Sequence, residues 1–445
     1  MPAAVLRSLY LNNRLFVAVG GCVFLFLLGF AYPVATALAK VTVLVLVFLL
    51  ALDLLMLYRT REGLRGNRDC AEKFSNGDEN PVYLRLENRY PFPVNVRIID
   101  EVPFQFQLRS VEFRDAIRPR ATRVTTYHLR PVKRGEYQFG TLNAFASAPI
   151  GLAARRYRFA QHQTVPVYPS YLQMRQYELL AISNRLTELG IKKIRRIGNN
   201  REFEQIKEYV GGDDVRTVNW KATARRNNLM VNHYQDEKSQ QVYCVIDKGR
   251  TMKMPFNGLS LLDYAINASL VLSNIALRKD DKAGIVTFNH RVGTMLPASK
   301  VQAQMRNILE VLYQQKTSFK ESDFEALYAH LRRKVTQRSL LLLYTNFETL
   351  SAMERQLPHL QRLARNHVLV VIFFENTELH TLLDQPATNT EEIYVKTIAE
   401  KFAFEKRQIV KELKRYGIYA VLTAPQHLTA NTVNQYLALK ARGVI

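Results

Sequence analysis

The chain has 445 residues, 47% of them hydrophobic, which is long for one ordinary domain and apolar enough to bury two or three cores. It carries 62 basic against 39 acidic residues, a formal charge of +23, and so favours anionic partners: nucleic acid, acidic lipid or an acidic protein surface. The three cysteines, Cys22, Cys70 and Cys244, show no pairing pattern and argue against a disulfide scaffold or a cysteine zinc site.

The N-terminus reads as a membrane element. Leu15 to Tyr32 is an uncharged, mostly apolar run of about 18 residues, and Val41 to Tyr58 is a second, broken only by Asp53. Pro33 and Lys40 lie between them, so residues 1–58 are expected to form a two-helix transmembrane hairpin. Arg7 and Arg14 precede the first run and Arg59, Arg61, Arg65 and Arg68 follow the second. Positive residues stay on the cytoplasmic side, so both ends of a two-pass hairpin, and all that follows, should face the cytoplasm. Ala35-Thr36-Ala37 resembles a signal-peptide cleavage site, but the immediate second span counts against that reading. Asp53 is expected to face the other helix or to reach the interface. Residues 59–79, polar and basic with Gly63, Gly66 and Gly77, read as a juxtamembrane linker whose arginines lie on anionic membrane lipid.

From 80 to 170 the apolar residues alternate, as in Val82, Leu84 and Leu86 or Val94, Val96 and Ile98. Short strands separated by turns predict an immunoglobulin-like β-sandwich. Residues 171–240 are different: a helical run from Leu180 to Leu189, a basic run from Lys192 to Arg196, then a dense stretch from Gly211 to Lys238. That stretch packs Asp213, Asp214, Arg216, Lys221, Arg225 and the single tryptophan, Trp220, close together. Asp213 or Asp214 is placed to cap a short helix that follows.

From 241 to 445 short apolar runs alternate with helical patterns. The runs are Val242 to Ile246, Ala283 to Phe288, Leu340 to Tyr344, Val368 to Phe374 and Ile418 to Leu422; Leu261 to Arg278 and Val301 to Tyr313 are helical. This predicts an α/β doubly wound domain with a mostly parallel sheet, whose ligand sites lie at the carboxyl ends of the strands. Asp247, Gly249 and Thr251 follow the first strand, Ser322 precedes a helix and Asn346 follows the strand at Leu340 to Tyr344. Together they form an oxygen-bearing cup. Magnesium prefers carboxylates and hydroxyls, yet the cup has a glycine at 249, a neutral Asn346 and cationic Lys248 and Arg250 nearby. A degenerate site is therefore expected, with no cofactor or at most a weakly held magnesium ion.

No P-loop, H-E-x-x-H, G-x-S-x-G or Cys-x-x-Cys occurs, and the nine histidines are scattered. The basic runs near Trp220 and Tyr234 lack any nucleic-acid module around them, so nucleic acid is not the expected partner.

The stretch REFEQIKEYVGGDDVRTVNWKATARRNNLMV, from Arg201 to Val231, closely resembles the signature of the domain-of-unknown-function family fifty-eight. KRGEYQFG and SAPIGLA, in the β-rich region, are similar to further landmarks, the second without its usual aspartate. The resemblance implies a membrane hairpin, a β-rich region and a von Willebrand factor A-like domain. It also implies partnership with a MoxR-type AAA+ ATPase in assembly or maturation. In A domains an Asp-x-Ser-x-Ser loop, a threonine and a further aspartate hold magnesium. On that pattern Asp247, Gly249 and Thr251 fall on the loop, Ser322 on the threonine and Asn346 on the second aspartate, with only Asp247 unchanged. The signature itself has two readings. In one it is a structural clasp: Asp213 and Asp214 cap the helix and pair with arginines, and the Trp220 ring is buried. In the other it is a docking surface for the ATPase. The expectation is a non-enzymatic adaptor at the bacterial cytoplasmic membrane; the alternative is an enzyme acting on an envelope precursor at that membrane's surface.

Overall fold

The computed structural model describes residues 7–108, 111–159, 163–182, 201–211, 215–236, 239–377, 383, 386 and 389–445. The chain divides into two compact units, Met1–Tyr168 and Pro169–Ile445.

The first unit is built on three sheets. A five-stranded antiparallel sheet runs in the order Leu9–Leu11, Ala153–Phe159, Leu142–Ser147, Val94–Asp100, Val111–Ile117. Leu64–Cys70, Asn80–Asn88 and Thr122–Leu129 form a second sheet, and Phe74–Ser75, Gln163–Tyr168 and Gly135–Phe139 a third. The period of two is realised directly: Val82, Leu84, Leu86, Val94, Val96 and Ile98 are all buried in one core.

Residues 59–79 are not a linker. Leu64–Cys70 is a strand paired along its length with Asn80–Asn88. Arg68, expected on lipid, is buried in an ion pair with Asp100, which also accepts from the Tyr127 hydroxyl; Arg68 Nη2 donates to the Gly140 carbonyl at 3.0 Å. Of the glycines that suggested a linker, Gly77 has a left-handed φ of 83°, and Gly63 and Gly66 are close-approach positions. A Cβ at Gly63 would meet the Tyr90 ring at 2.0 Å, and one at Gly66 the Phe159 ring at 2.7 Å.

Among the described residues one helix, Pro33–Arg59, is long and apolar enough to cross a membrane. Its 27 residues correspond to about 40 Å, and Pro33 opens it with a pre-set φ. Asn13–Leu28 is a shorter apolar helix of 16 residues. A Cβ at Gly29 would meet Thr36 Cγ2 at 2.4 Å, so the chain turns tightly between them. From Leu50 onward the longer helix leaves its exposed course, and Leu50, Leu54 and Leu57 pack on the β core. Asp53 neither faces the other helix nor reaches an interface. It is fully buried, and Oδ2 accepts from the backbone N–H of Leu152 at 2.9 Å and of Ala153 at 2.8 Å. Arg155 closes the helix by donating to the carbonyls of Leu57 (2.9 Å), Thr60 (2.8 Å) and Arg61 (2.8 Å), groups a helix end leaves without partners.

The second unit holds a six-stranded sheet in the order Val292–Ser299, Lys282–Phe288, Gln241–Asp247, Leu340–Tyr344, Val368–Phe374, Tyr419–Thr423. All neighbours are parallel except the first pair. That antiparallel edge strand was not anticipated; it contains Pro297, which an edge tolerates. Alternate strand residues feed two cores. Val242, Cys244 and Ile246 pack beneath the helix Leu261–Arg278, which starts with a Ser260–Asp263 capping box. Tyr243 and Val245 pack beneath Phe324–Lys334, Leu350–Asn366 and Thr390–Arg415. Burial on both faces explains why these strands read as continuous apolar runs. The helical expectation near Leu180 is met in part by Tyr171–Ile182; residues 183–200, with the basic run from Lys192 to Arg196, lie outside the described residues.

Candidate functional site

Asp247 ends the strand Gln241–Asp247, and Thr345 and Asn346 follow its neighbour Leu340–Tyr344. The chain leaves this pair of strands in opposite directions, so a crevice opens at their carboxyl ends. Tertiary structure brings three of the five expected cup residues, Asp247, Gly249 and Ser322, into one hydrogen-bonded group with Thr345. Asp247 Oδ1 accepts from the Gly249 N–H at 2.8 Å and from the Ser322 hydroxyl, and Oδ2 accepts from the Thr345 hydroxyl at 2.7 Å. Burial pushes the Asp247 carboxyl above its usual range, against the pull of these three donors. Gly249 is needed for this closeness, since a Cβ there would meet Ser322 Oγ at 2.2 Å. Thr251 lies in the turn Arg250–Lys253 and lines the adjoining cavity of about 210 Å³ with Arg250, Ser322 and Asn346.

Asn346 stands apart from the aspartate. Its Oδ1 accepts from Lys406 Nζ at 2.7 Å, and the same ammonium donates to the Phe374 carbonyl at 2.8 Å. Burial pushes the Lys406 ammonium down to about 8, while Glu348 and Glu375 pull it upward. Lys406 was not singled out from the sequence. A signal existed: it lies three residues before Ile409 and seven before Leu413, both buried, so a lysine occupies the apolar stripe of the helix Thr390–Arg415. Lys248, next to Asp247, donates to Gln315 Oε1 at 3.0 Å, and burial lowers its pKa.

The residues present do not fit a resident magnesium ion. The crevice offers one buried carboxylate, whose oxygens already accept three protein donors; Glu321 and Glu348 on its wall are exposed, and an ammonium occupies the amide oxygen a cation would use. Among the described residues no group of three or more His, Cys, Asp and Glu is arranged to hold a metal.

The signature segment forms an antiparallel hairpin, Arg201–Glu208 with Met230–Asp236, and carries the helix Trp220–Arg226 between its strands. Asp213 and Asp214, and the side chains of Arg216 and His233, lie outside the described residues. The helix Trp220–Arg226 is capped by Asn219, whose Oδ1 accepts from the Ala222 N–H at 3.0 Å. Trp220 does not bury its ring: it is 72% exposed. One turn on, the Thr223 hydroxyl accepts from the N–H of buried Met230 at 3.0 Å. Lys221, Arg225 and Arg226 are exposed, as are Val210, Val215 and Leu229.

Residues 205–397 match the model of the family described as protein of unknown function DUF58. The matched segment contains most of the hairpin and the whole strand-end crevice except Lys406. A relative in Bacillus subtilis (strain 168), the uncharacterized protein YeaD, is 25% identical over 209 residues, 45% of this chain and 52% of that protein. The chain thus spans about half the length of the curated relative it matches. Among solved structures, the conserved hypothetical protein BatB from Bacteroides thetaiotaomicron superposes at TM-score 0.30 with 12% identity, covering 46% of this chain and all of that one. A PapD-like domain of human CEP192 superposes at TM-score 0.18 with 11% identity, covering 24% of this chain and 84% of that one. Both superpositions are too distant to carry an argument.

Proposed function

We propose that this chain is a membrane-anchored, non-enzymatic adaptor that works with a MoxR-type AAA+ ATPase in protein assembly or maturation at the envelope. The observation that carries the reading is the state of Asp247. It is the buried carboxylate of the crevice, and its oxygens are committed to Gly249, Ser322 and Thr345. Beside it lies a second cavity of about 310 Å³, lined by Met254, Phe402 and Ala403 and by Lys406, Glu348 and Glu375. A crevice with a satisfied polar centre and apolar walls suits recognition better than bond chemistry.

The sheet order and the place of Asp247 and Asn346 support a von Willebrand factor A-like domain, and the antiparallel sheets of the first unit support an immunoglobulin-like sandwich. The two-pass, cytoplasm-facing topology draws support from the shared strand at both helix ends. Asn12 Nδ2 donates to the Gly151 carbonyl at 3.1 Å, and Asp53 holds the Leu152 and Ala153 N–H groups. Exposed Trp220, on the same short helix as exposed Lys221, Arg225 and Arg226, supports the docking reading of the signature over the clasp.

Crosslinking in intact cells, followed by purification of this chain and mass spectrometry, tests the proposal. The expected result is enrichment of a AAA+ ATPase that is lost in Trp220→Ala. No ATPase at any crosslinker length, in cells that express one, would overturn the adaptor reading and favour a membrane-surface enzyme.

A further inference from the structure

The outward face of the five-stranded sheet carries a line of like charges. The strand register sets Arg114 opposite Arg97, Arg97 opposite Phe145, and Phe145 opposite Arg156. Residues directly opposite one another project to the same face, so three guanidinium groups and one ring cross the sheet in a row. Two arginines facing each other on adjacent strands repel. The core does not require them: the neighbours Val96, Ile98, Ala144 and Ala146 turn the other way and are buried.

The row is organised rather than scattered. The Arg97 guanidinium lies over the Phe145 ring at 4.7 Å, Tyr10 meets that ring edge-on at 5.0 Å, and Arg156 Nη1 donates to the Tyr10 hydroxyl at 2.7 Å. At the other end, Arg97 and Arg114 line a cavity of about 640 Å³ with Asn12, Asn13, Asn95 and Ser147. Asp115 also lines the cavity and is engaged by Arg123 at 2.5 Å, and Glu112 pairs with Arg114 at 2.8 Å. Asn12 and Asn13 begin the apolar helix Asn13–Leu28, on which Phe16, Val17, Phe24 and Leu27 are exposed. The cavity therefore sits where an exposed apolar helix meets a cationic, aromatic-flanked surface, as lipid headgroups do at a bilayer.

We propose that this face seats the phosphate headgroups of anionic phospholipids, with Arg97 and Arg114 as the phosphate-binding pair and Arg156 with Tyr10 as their flank. A phosphate between the two guanidinium groups would accept forked hydrogen bonds from each and relieve their repulsion. The assignment rests on the membrane anchoring proposed above.

The test uses the full chain in mild detergent, titrated with phosphatidylglycerol or phosphatidylcholine, with retained lipid counted by native mass spectrometry. The parent should retain phosphatidylglycerol about tenfold or more over phosphatidylcholine, and the double variant R97Q/R114Q should lose that preference. R333Q, an exposed arginine change on the second unit, should leave it intact. In lipid-free detergent R97Q/R114Q should melt close to the parent, because the repulsion removed offsets the exposed Arg114–Glu112 pair that is lost with it. An undiminished preference in the double variant would overturn the proposal. So would inorganic phosphate competing as well as phosphatidylglycerol, which would identify a soluble anion as occupant. Membrane fractionation separates the two readings: a parent chain absent from the membrane fraction would sink the anchoring and its lipid occupant together, whereas R97Q/R114Q should stay in that fraction.

Discussion

Trp220 and Lys406 show how a single residue's role depends on its surroundings. A buried tryptophan truncated to alanine costs about 3–5 kcal/mol, whereas an exposed one away from special features changes stability by about 0.5 kcal/mol or less. Trp220 is 72% exposed, so Trp220→Ala should melt close to the parent and act on partner binding instead. A fall in melting temperature of the size expected for a core residue would restore the clasp. Lys406 makes a prediction in pH. Its ordinary value of 10.5 is lowered to about 8 by burial. Between those values the unfolded chain holds the proton and the folded chain releases it, so stability should rise as pH climbs from about 8 toward 10.5. Lys406→Met should flatten that rise in denaturant titrations across the window; an unchanged slope would show that the ammonium is not buried. Asp247 has the opposite sign. Its folded pKa is raised above 3.8, so stability present below that value is lost as pH rises through the folded pKa, and Asp247→Asn should remove the loss.

Elements were legible wherever one periodicity held from end to end. Leu340–Tyr344, Val368–Phe374 and Leu261–Arg278 fall where the apolar patterns place them, because strands buried on both faces and a fully covered helix leave little room for polar interruption. Leu64–Cys70 was hidden because its inward positions are Leu64 and Arg68, and a charged core residue looks like a linker until Asp100 is seen beside it. Asp53 was hidden for the same reason: its partners are backbone groups about a hundred residues away. Asp53→Ala should leave the Leu152 and Ala153 N–H groups buried without an acceptor, at a cost of about 1–3 kcal/mol each. Asp53→Asn, which keeps a carbonyl acceptor, should recover much of that loss. Equal melting of both variants and the parent would show that the clamp contributes nothing.

At the scale of the whole molecule, the two compact units have separate buried cores, one around Val82, Leu84 and Ile98 and others on the two faces of the six-stranded sheet. Calorimetry of the full chain in detergent should therefore resolve two transitions, with Asp53→Ala lowering one and leaving the other in place. A single transition shifted as a whole would mean that the units unfold cooperatively.

The sequence by itself determined the apolar N-terminus, the strand periodicity of the first unit, the alternating strands and helices of the second and the strand-end position of Asp247. Each of these rests on local spacing, which the backbone's periods of 2 and 3.6 translate directly into faces. Only the tertiary structure decided which donors satisfy Asp247, that Lys406 holds Asn346, that Asn219 caps the helix Trp220–Arg226, and that Trp220 is exposed. It also decided that Arg97 and Arg114 stand opposite each other. Those relations depend on strand register and on the approach of distant segments, and no spacing along the chain encodes either.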